Sequence, residues 1–394
     1  MKSLRATKQR WLKMKSPNFL QIPASPKSSP FSIYNGKSPD DLRVLPDNSI
    51  DAIITDPPYG LGYNHNEWDA TVPGPEVWLE CYRMAKPGAY LVAFCAKRTS
   101  HHLATAFEKA GFEIKDKTIW FHGQGASKTE PLNERLKEAG ANKKVCQLFG
   151  NYRGDLRPLY EDIIIAQKPI QAHNLAINLI KYGTGVLNSA DILGNGCYAG
   201  DILCEYEQVI QEQLSGKGSG IGVLSFPRAS QKERAEACEG LFFDGATNKR
   251  PDVGGHANEE ITNEFNFHPT VKPIALMKHL VELFSFPGAI ILDPFMGSGS
   301  TGCGTLLANR RFIGVEMDSN YFKIANHRFE KTSLKIPHNP VQTAIDVHQL
   351  LKDNDGLNFM REIHPKIKDG TASLDDFRKY RELFKKFGPL SLVA

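Results

Sequence analysis

The stretch "AIILDPFMGSGSTGCGTLLANRRFIGVEMD", residues 289–318, passes from an apolar run through a glycine-rich turn into a helical pattern, then into a second apolar run. Residues 289–292 read as a buried strand, a helix begins at about Ser300, and "RFIGVE" reads as the next strand. Gly297, Gly299 and Gly302 form G-x-G-x-x-G between the first strand and the helix. Glycines there let the backbone approach a ligand closely, and the helix N-terminus offers unpaired N–H groups. Glu316, at the end of the following strand, can accept both hydroxyls of a ribose. The unit therefore predicts a nucleoside site in a doubly wound sheet. Asp293 bears on which nucleoside. A carboxylate ending the first strand repels the pyrophosphate of NAD but accepts hydrogen bonds from the cationic amino acid moiety of S-adenosylmethionine.

The same rhythm extends in both directions. "SIDAIITD" and "GAYLVAFC" read as buried strands, "EVWLECYRMAK" and residues 100–111 as amphipathic helices, and "FEIKDKTIWF" and "LYEDIIIAQK" as further strands. A helix is expected over 274–284. Alternation of this kind predicts an α/β fold with a doubly wound, mostly parallel sheet. From about residue 170 to 267 the rhythm breaks into turn-punctuated sequence such as "KYGTGVLNSADILGNG" and "QLSGKGSGIG". An insertion of that length has its own structure or orders on a partner. Beyond residue 330 the chain is polar, with "LDDFRKYRELFKKFG" as its clearest helical stretch.

Composition bounds the function classes. The 394 residues are 41% hydrophobic and 23% charged, values of an ordinary globular protein. No apolar run approaches the ~20 residues of a membrane-spanning helix. Seven scattered cysteines without a CxxC pair suggest neither a zinc site nor a disulfide framework, and fit a reducing cytoplasm. The net charge of +4 conceals seven Lys or Arg and no acid in residues 1–30. That arm reads either as a solvated leader or as a phosphate-binding extension.

"DPPY" at 56–59 and "DPFMGSGSTG" at 293–302 together resemble the catalytic and cofactor motifs of the DNA amino-methyltransferases, in the permuted order of the β group, catalytic motif first. "LPDNSIDAIITDPPYG", "YEDIIIAQKP", "HPTVKPIALMKHLVELFSFPG" and "RFIGVEMDSNYFKIANHRF" agree with the family in order, so the resemblance covers most of 31–170 and 266–330. It implies the Rossmann-like fold of S-adenosylmethionine-dependent methyltransferases, with a basic arm (1–30), a catalytic half (31–169), an inserted target-recognition region (170–266), a cofactor-binding half (267–330) and a helical C-terminal extension (331–394).

The resemblance also assigns roles. Asp56, Pro57, Pro58 and Tyr59 form the catalytic turn. Asp293, Pro294, Phe295, Gly297, Gly299, Ser300 and Glu316, with Thr270 and Lys272, line the cofactor site. An exocyclic amine is a poor nucleophile because its lone pair is delocalised into the ring. Two acceptors that hold its hydrogens favour the tetrahedral nitrogen that attacks the methyl sulfonium. The Asp56 carboxylate supplies one and the Pro57 carbonyl the other, on a backbone that the Pro-Pro sequence restricts. Tyr59 stacks on the base once it has left the helix. No metal is required.

One position departs from the family pattern: Lys37 in "YNGKSPDDL" stands where an acid is usual, and Asp40 or Asp41 is a candidate replacement. Asp56, rather than Ser, leans toward adenine N6 over cytosine N4. In "FPRASQKERAE", Arg228, Lys232 and Arg234 read either as DNA contacts or as a solvated face. The expected partner is double-stranded DNA. A membrane is not expected, and a homodimer is compatible with the sequence. The leading expectation is a sequence-specific adenine-N6 DNA methyltransferase. The alternatives are a cytosine-N4 enzyme, an RNA or protein amino-methyltransferase of the same fold, and a nonenzymatic nucleic-acid-binding protein.

Overall fold

The computed structural model describes residues 29–62, 67–122, 131–156, 158–188, 202–204, 226–235, 266 and 268–336. Its centre is an eight-stranded sheet: β1 (Phe31–Asn35), β2 (Ile50–Thr55), β3 (Ala85–Cys95), β4 (Glu113–Phe121), β5 (Tyr160–Gln167), β6 (Ile202–Cys204), β7 (Ile290–Asp293) and β8 (Arg311–Glu316). The spatial order is β1-β8-β7-β2-β3-β5-β4-β6. Only β5 runs against its neighbours, pairing antiparallel with β3 and β4, so the expected mostly parallel sheet is observed.

Helices cover both faces of the central strands, which is why β2, β7 and β8 are apolar runs rather than alternating ones. Among these helices are α1 (Pro75–Met84), α2 (Ser100–Ala110), α3 (Asn133–Glu138), α4 (Lys143–Phe149), α5 (Leu175–Tyr182), α6 (Gln231–Ala235), α7 (Ile274–Phe284), α8 (Ser300–Leu307) and α9 (Ser319–Lys335). From β2, Ile53 joins a core with Trp78, Leu103 and Phe107 of α1 and α2. Ala52 and Ile54 face the other way, onto Leu276, Leu280 and Phe284 of α7. Helix α1 stops at Met84, two residues before the sequence pattern suggests. Pro87 disfavours helical backbone at Lys86, and β3 begins at Ala85 instead.

The connectivity creates the place for a ligand. From β7 the chain passes through α8 to β8 on one side, whereas from β2 it passes through α1 to β3 on the other. The reversal of direction between the adjacent strands β2 and β7 is a topological switch point, and crevices form there at the carboxyl ends of the strands. The arrangement is a doubly wound fold of the Rossmann-like type.

Parts of the inserted region belong to this body. Asn178 of α5 is buried and donates to the Pro87 and Thr184 carbonyls at 2.8 and 3.1 Å. Strand β6 extends the sheet beside β4, and Trp120 Nε1 donates to the Phe226 carbonyl at 2.8 Å. The rest of the insertion, the arm up to residue 28 and the tail from residue 337, with its "LDDFRKYRELFKKFG" stretch, lie outside the described residues. Among those described, no helix is long and apolar enough to cross a membrane.

Close approach of α7, α8 and α9 depends on small residues. A Cβ on Gly302 would lie 2.3 Å from the Phe329 ring, and one on Gly304 would lie 2.6 Å from the Lys278 backbone nitrogen. Backbone cannot yield as a side chain can. Gly304→Ala should therefore destabilise the fold by about 1–3 kcal/mol, read as a lower urea midpoint with an unchanged slope.

Candidate active site

Strand β2 ends at Thr55, and the next four residues are the Asp56–Tyr59 turn. Pro57 is buried, while Asp56, Pro58 and Tyr59 are half-buried. Asp69 fixes the turn from below. Its buried carboxylate accepts from the backbone N–H groups of Tyr59, Gly60 and Leu61 at 2.6, 3.1 and 3.3 Å. Thr99 adds a hydrogen bond to the Tyr59 carbonyl at 2.7 Å. The turn is thus held by its backbone, leaving its side chains for other work.

Those side chains meet in one cluster. Lys272 Nζ lies 2.5 Å from Asp56 Oδ2, 3.3 Å from Glu161 Oε2 and 3.1 Å from the Tyr59 hydroxyl. That hydroxyl is 2.9 Å from Asp56 Oδ1 and 2.8 Å from Glu161 Oε2. Burial raises the Asp56 pKa above the ordinary carboxylate value, although Lys272 opposes it. Burial also disfavours the Lys272 ammonium, but Asp56 and Glu161 outweigh it and hold its pKa above that of ordinary lysine. For Glu161, burial is overcome by Lys272, Tyr59 and Arg228, and its pKa falls. Lys272, expected to line the cofactor site, pairs in the structure with Asp56 of the 56–59 turn and with Glu161 of β5.

The glycine turn opens on the same space. Gly297, Gly299 and their neighbours follow β7, with positive φ of 52° and 87°. Gly297 approaches the ring of His268, where a Cβ would come within 2.9 Å of Nε2. Gly299 does not line the cavity; its missing side chain admits Phe329 and Ala325 of α9. Behind the turn, buried Arg328 donates to the Ser298 carbonyl at 2.6 Å. Glu316 accepts from the Gly297 and Asp318 N–H groups at 2.9 and 2.7 Å. Asp293 accepts from Thr55 Oγ1 at 2.6 Å and from the Phe295 N–H at 3.0 Å.

A cavity of about 820 Å³ joins the two turns, and Asp56, Tyr59, Lys272, Asp293, Gly297 and Glu316 all border it. Pro57, Pro58, Thr270, Pro294, Phe295 and Ser300 line it as well. Lys37 borders it too, whereas Asp40 and Asp41 do not. Asp40 pairs with Arg43, and Asp41 accepts from the Lys37 N–H. Neither aspartate therefore takes the place of the missing acid at the wall.

The inserted region reaches the Glu161 cluster through Arg228 and the cavity wall through Arg234 and through Asn266, which donates to Ser298 Oγ at 3.0 Å. Arg228 donates to His122 Nε2 at 2.9 Å and lies 3.7 Å from Glu161. Glu233 accepts from the Ile274 N–H at the start of α7 at 2.7 Å, and Arg234 donates to the His268 carbonyl at 2.5 Å. Lys232 is exposed. Two of the three candidate DNA contacts are therefore engaged within the protein. Sequence reading passed over Glu161, Asp69 and His268. The first carried a signal, an acid opening the otherwise apolar strand "YEDIIIAQ".

The chemistry of the walls fits a cationic nucleoside. Burial pushes Asp293 up to about 6 and Glu316 up to about 7, and no cation contributes to either shift. A ligand that brings positive charge and hydroxyl donors supplies what these carboxylates lack.

Fold and site together define a doubly wound α/β protein with a carboxylate-lined cavity at its topological switch point. The family model for N6/N4 DNA methylases matches residues 50–327, and the chain belongs to that family. It is a DNA methyltransferase, and the family draws its methyl group from S-adenosylmethionine. YubD of Escherichia coli (strain K12), provisionally named a methylase, is 46% identical over 294 residues, 73% of this chain and 85% of its own. The DNA adenine methyltransferase YhdJ of the same strain is 25% identical over 309 residues, 77% of this chain and 83% of its own. The crystal structure of the M1.HpyAVI–SAM complex is a distant likeness at a TM-score of 0.42 and 21% identity, covering 76% of this chain and 98% of that one.

Ionised carboxylates should hold this cofactor best, so its binding should release protons and strengthen with pH. Calorimetry should show S-adenosylmethionine affinity rising several-fold between about pH 5.5 and 8, through the range in which Asp293 and Glu316 titrate. Glu316→Gln should weaken binding and flatten the upper part of that rise.

Proposed function

We propose that the chain methylates the exocyclic N6 of adenine in duplex DNA, acting on a base that has left the helix. One observation carries this reading: the Asp56–Tyr59 turn and the glycine turn, on adjacent strands, open into one cavity. When bound, S-adenosylmethionine supplies an electrophilic methyl group. The protein supplies placement. Asp293, Glu316 and the Gly297 backbone hold the nucleoside and its amino acid moiety, with Pro294, Phe295, Ser300 and Thr270 around them.

Asp56 and the Pro57 carbonyl take the two hydrogens of the target amine, drawing nitrogen toward the tetrahedral form. The Tyr59 ring stacks on the base, offsetting the unstacking cost of a few kcal/mol. Asp69, through three backbone hydrogen bonds, keeps the turn from relaxing as the base enters. The inserted region 170–266 reads the DNA sequence, with exposed Lys232 available to phosphate and the basic arm adding nonspecific affinity.

Asp rather than Ser at position 56 supports adenine, as does the likeness to YhdJ, itself named an adenine methyltransferase. Cytosine N4 is the second reading, since its amine meets the same pair of acceptors. Tritium transfer from labelled S-adenosylmethionine to unmethylated duplex DNA, followed by nucleoside analysis, separates them. Label is expected on adenine N6. Label on cytosine N4 would reject adenine alone, and label on RNA or protein without DNA would reject the reading entirely. Asp56→Ala should lower transfer by about 100-fold or more while S-adenosylmethionine still binds.

A further inference from the structure

The cluster around Tyr59 has more short oxygen contacts than hydrogens to fill them. Its hydroxyl is within 2.9 Å of Asp56 and 2.8 Å of Glu161, yet a phenol carries one hydrogen. With both carboxylates ionised, one contact has no proton in it. Lys272 balances only one of the two negative charges. A single added proton would fill the empty contact and neutralise the inner cluster. Methylation of a neutral amine releases one proton.

We propose that Asp56, Tyr59 and Glu161 form a relay that carries this proton away from the target nitrogen, with Glu161 as its terminal acceptor. This rests on the reading of residues 56–59 as the methyl-transfer turn. As the nitrogen lone pair forms the N–C bond, the C–S bond breaks and its electron pair stays on sulfur. The N–H electrons remain on nitrogen, and the proton passes to Asp56. Tyr59 then takes a proton from Asp56 while giving its own to Glu161, so the phenol is unchanged and Glu161 ends as the carboxylic acid. Water then takes the proton from Glu161.

The path leads outward, and because Lys272, Tyr59 and Arg228 hold the Glu161 pKa down while burial raises that of Asp56, Glu161 carries the proton only in transit to water. On the inner side Glu161 faces Tyr59 and Lys272, and on the outer side His122 at 3.8 Å and Arg228 at 3.7 Å. Burial, then Arg228, pushes His122 down to about 4, so its imidazole is neutral and accepts from the guanidinium. The Arg228 side chain is 45% exposed, which places the outer edge of Glu161 near solvent. Burial and the two carboxylates hold the Tyr59 pKa well above the ordinary phenol value. Tyr59 therefore acts as a conduit that never becomes a free phenolate.

The test is single-turnover methyl transfer by the full chain to a duplex oligonucleotide, followed across the neutral and alkaline range, with S-adenosylmethionine and DNA binding measured alongside. Glu161→Gln keeps the volume and still accepts from Tyr59, but it cannot take the proton. The expected result is intact binding, a loss of about tenfold or more near neutral pH, and a rate that climbs with pH toward wild type. Tyr59→Phe should lose a similar factor, and the double variant should lose no more than either alone. A wild-type rate in Glu161→Gln, or a loss that does not change with pH, would overturn the relay. Activity in Asp56→Ala would instead overturn the reading of the turn. An inactive Asp56→Ala beside a fully active Glu161→Gln would remove the relay alone.

Discussion

A single buried hydrogen bond, from Thr55 to Asp293 at 2.6 Å, joins the ends of two strands that are 238 residues apart in sequence. It ties the residue before the Asp56–Tyr59 turn to the carboxylate that opens the glycine turn. Everything at the site is measured from this junction. Strands β2 and β7 are locked in register by the sheet, and their connections depart in opposite directions. The two turns therefore face each other across a gap fixed by backbone hydrogen bonds rather than by flexible side chains. An in-line transfer needs donor and acceptor held to a fraction of an ångström, and a rigid sheet provides that.

The two sides of the cavity manage buried charge in opposite ways. Asp293 and Glu316 are buried without a cation among their described contacts and titrate well above the usual carboxylate range. Asp56 and Glu161 share one lysine, itself almost wholly buried. The Asp293–Glu316 side is thus electrostatically incomplete until a cation enters, whereas the Asp56–Glu161 side is organised beforehand. This division favours ordered use of the cavity, with charge recruited on one side and a neutral base received on the other.

Much of this was legible in the sequence because it depends on local pattern. "IDAIIT", "RFIGVE" and the G-x-G-x-x-G turn carry their periodicity and turn chemistry within a few residues, and the strand and helix expected around Ser300 are present. The motifs could be placed on one sheet, and both reach the cavity. What escaped were partners made adjacent only by folding. Glu161 comes from β5 and Asp69 from a turn ten residues beyond the tyrosine whose backbone N–H donates to it, while Lys272 was named without its partner Asp56. Gly299 shows the same limit: local sequence shows a glycine beside a ligand loop, and only the packing of α9 shows that it makes room for Phe329.

The segment 226–235 works as a clasp, with Arg228 on the catalytic side, Glu233 at the start of α7 and Arg234 on the cofactor side. It lies inside the region whose variation would be expected to alter DNA preference. Such a region is commonly pictured as a cassette exchanged between relatives, but these three anchors make its middle part of the chassis. Divergence in specificity is therefore constrained within the clasp. A library built on this scaffold would keep those anchors.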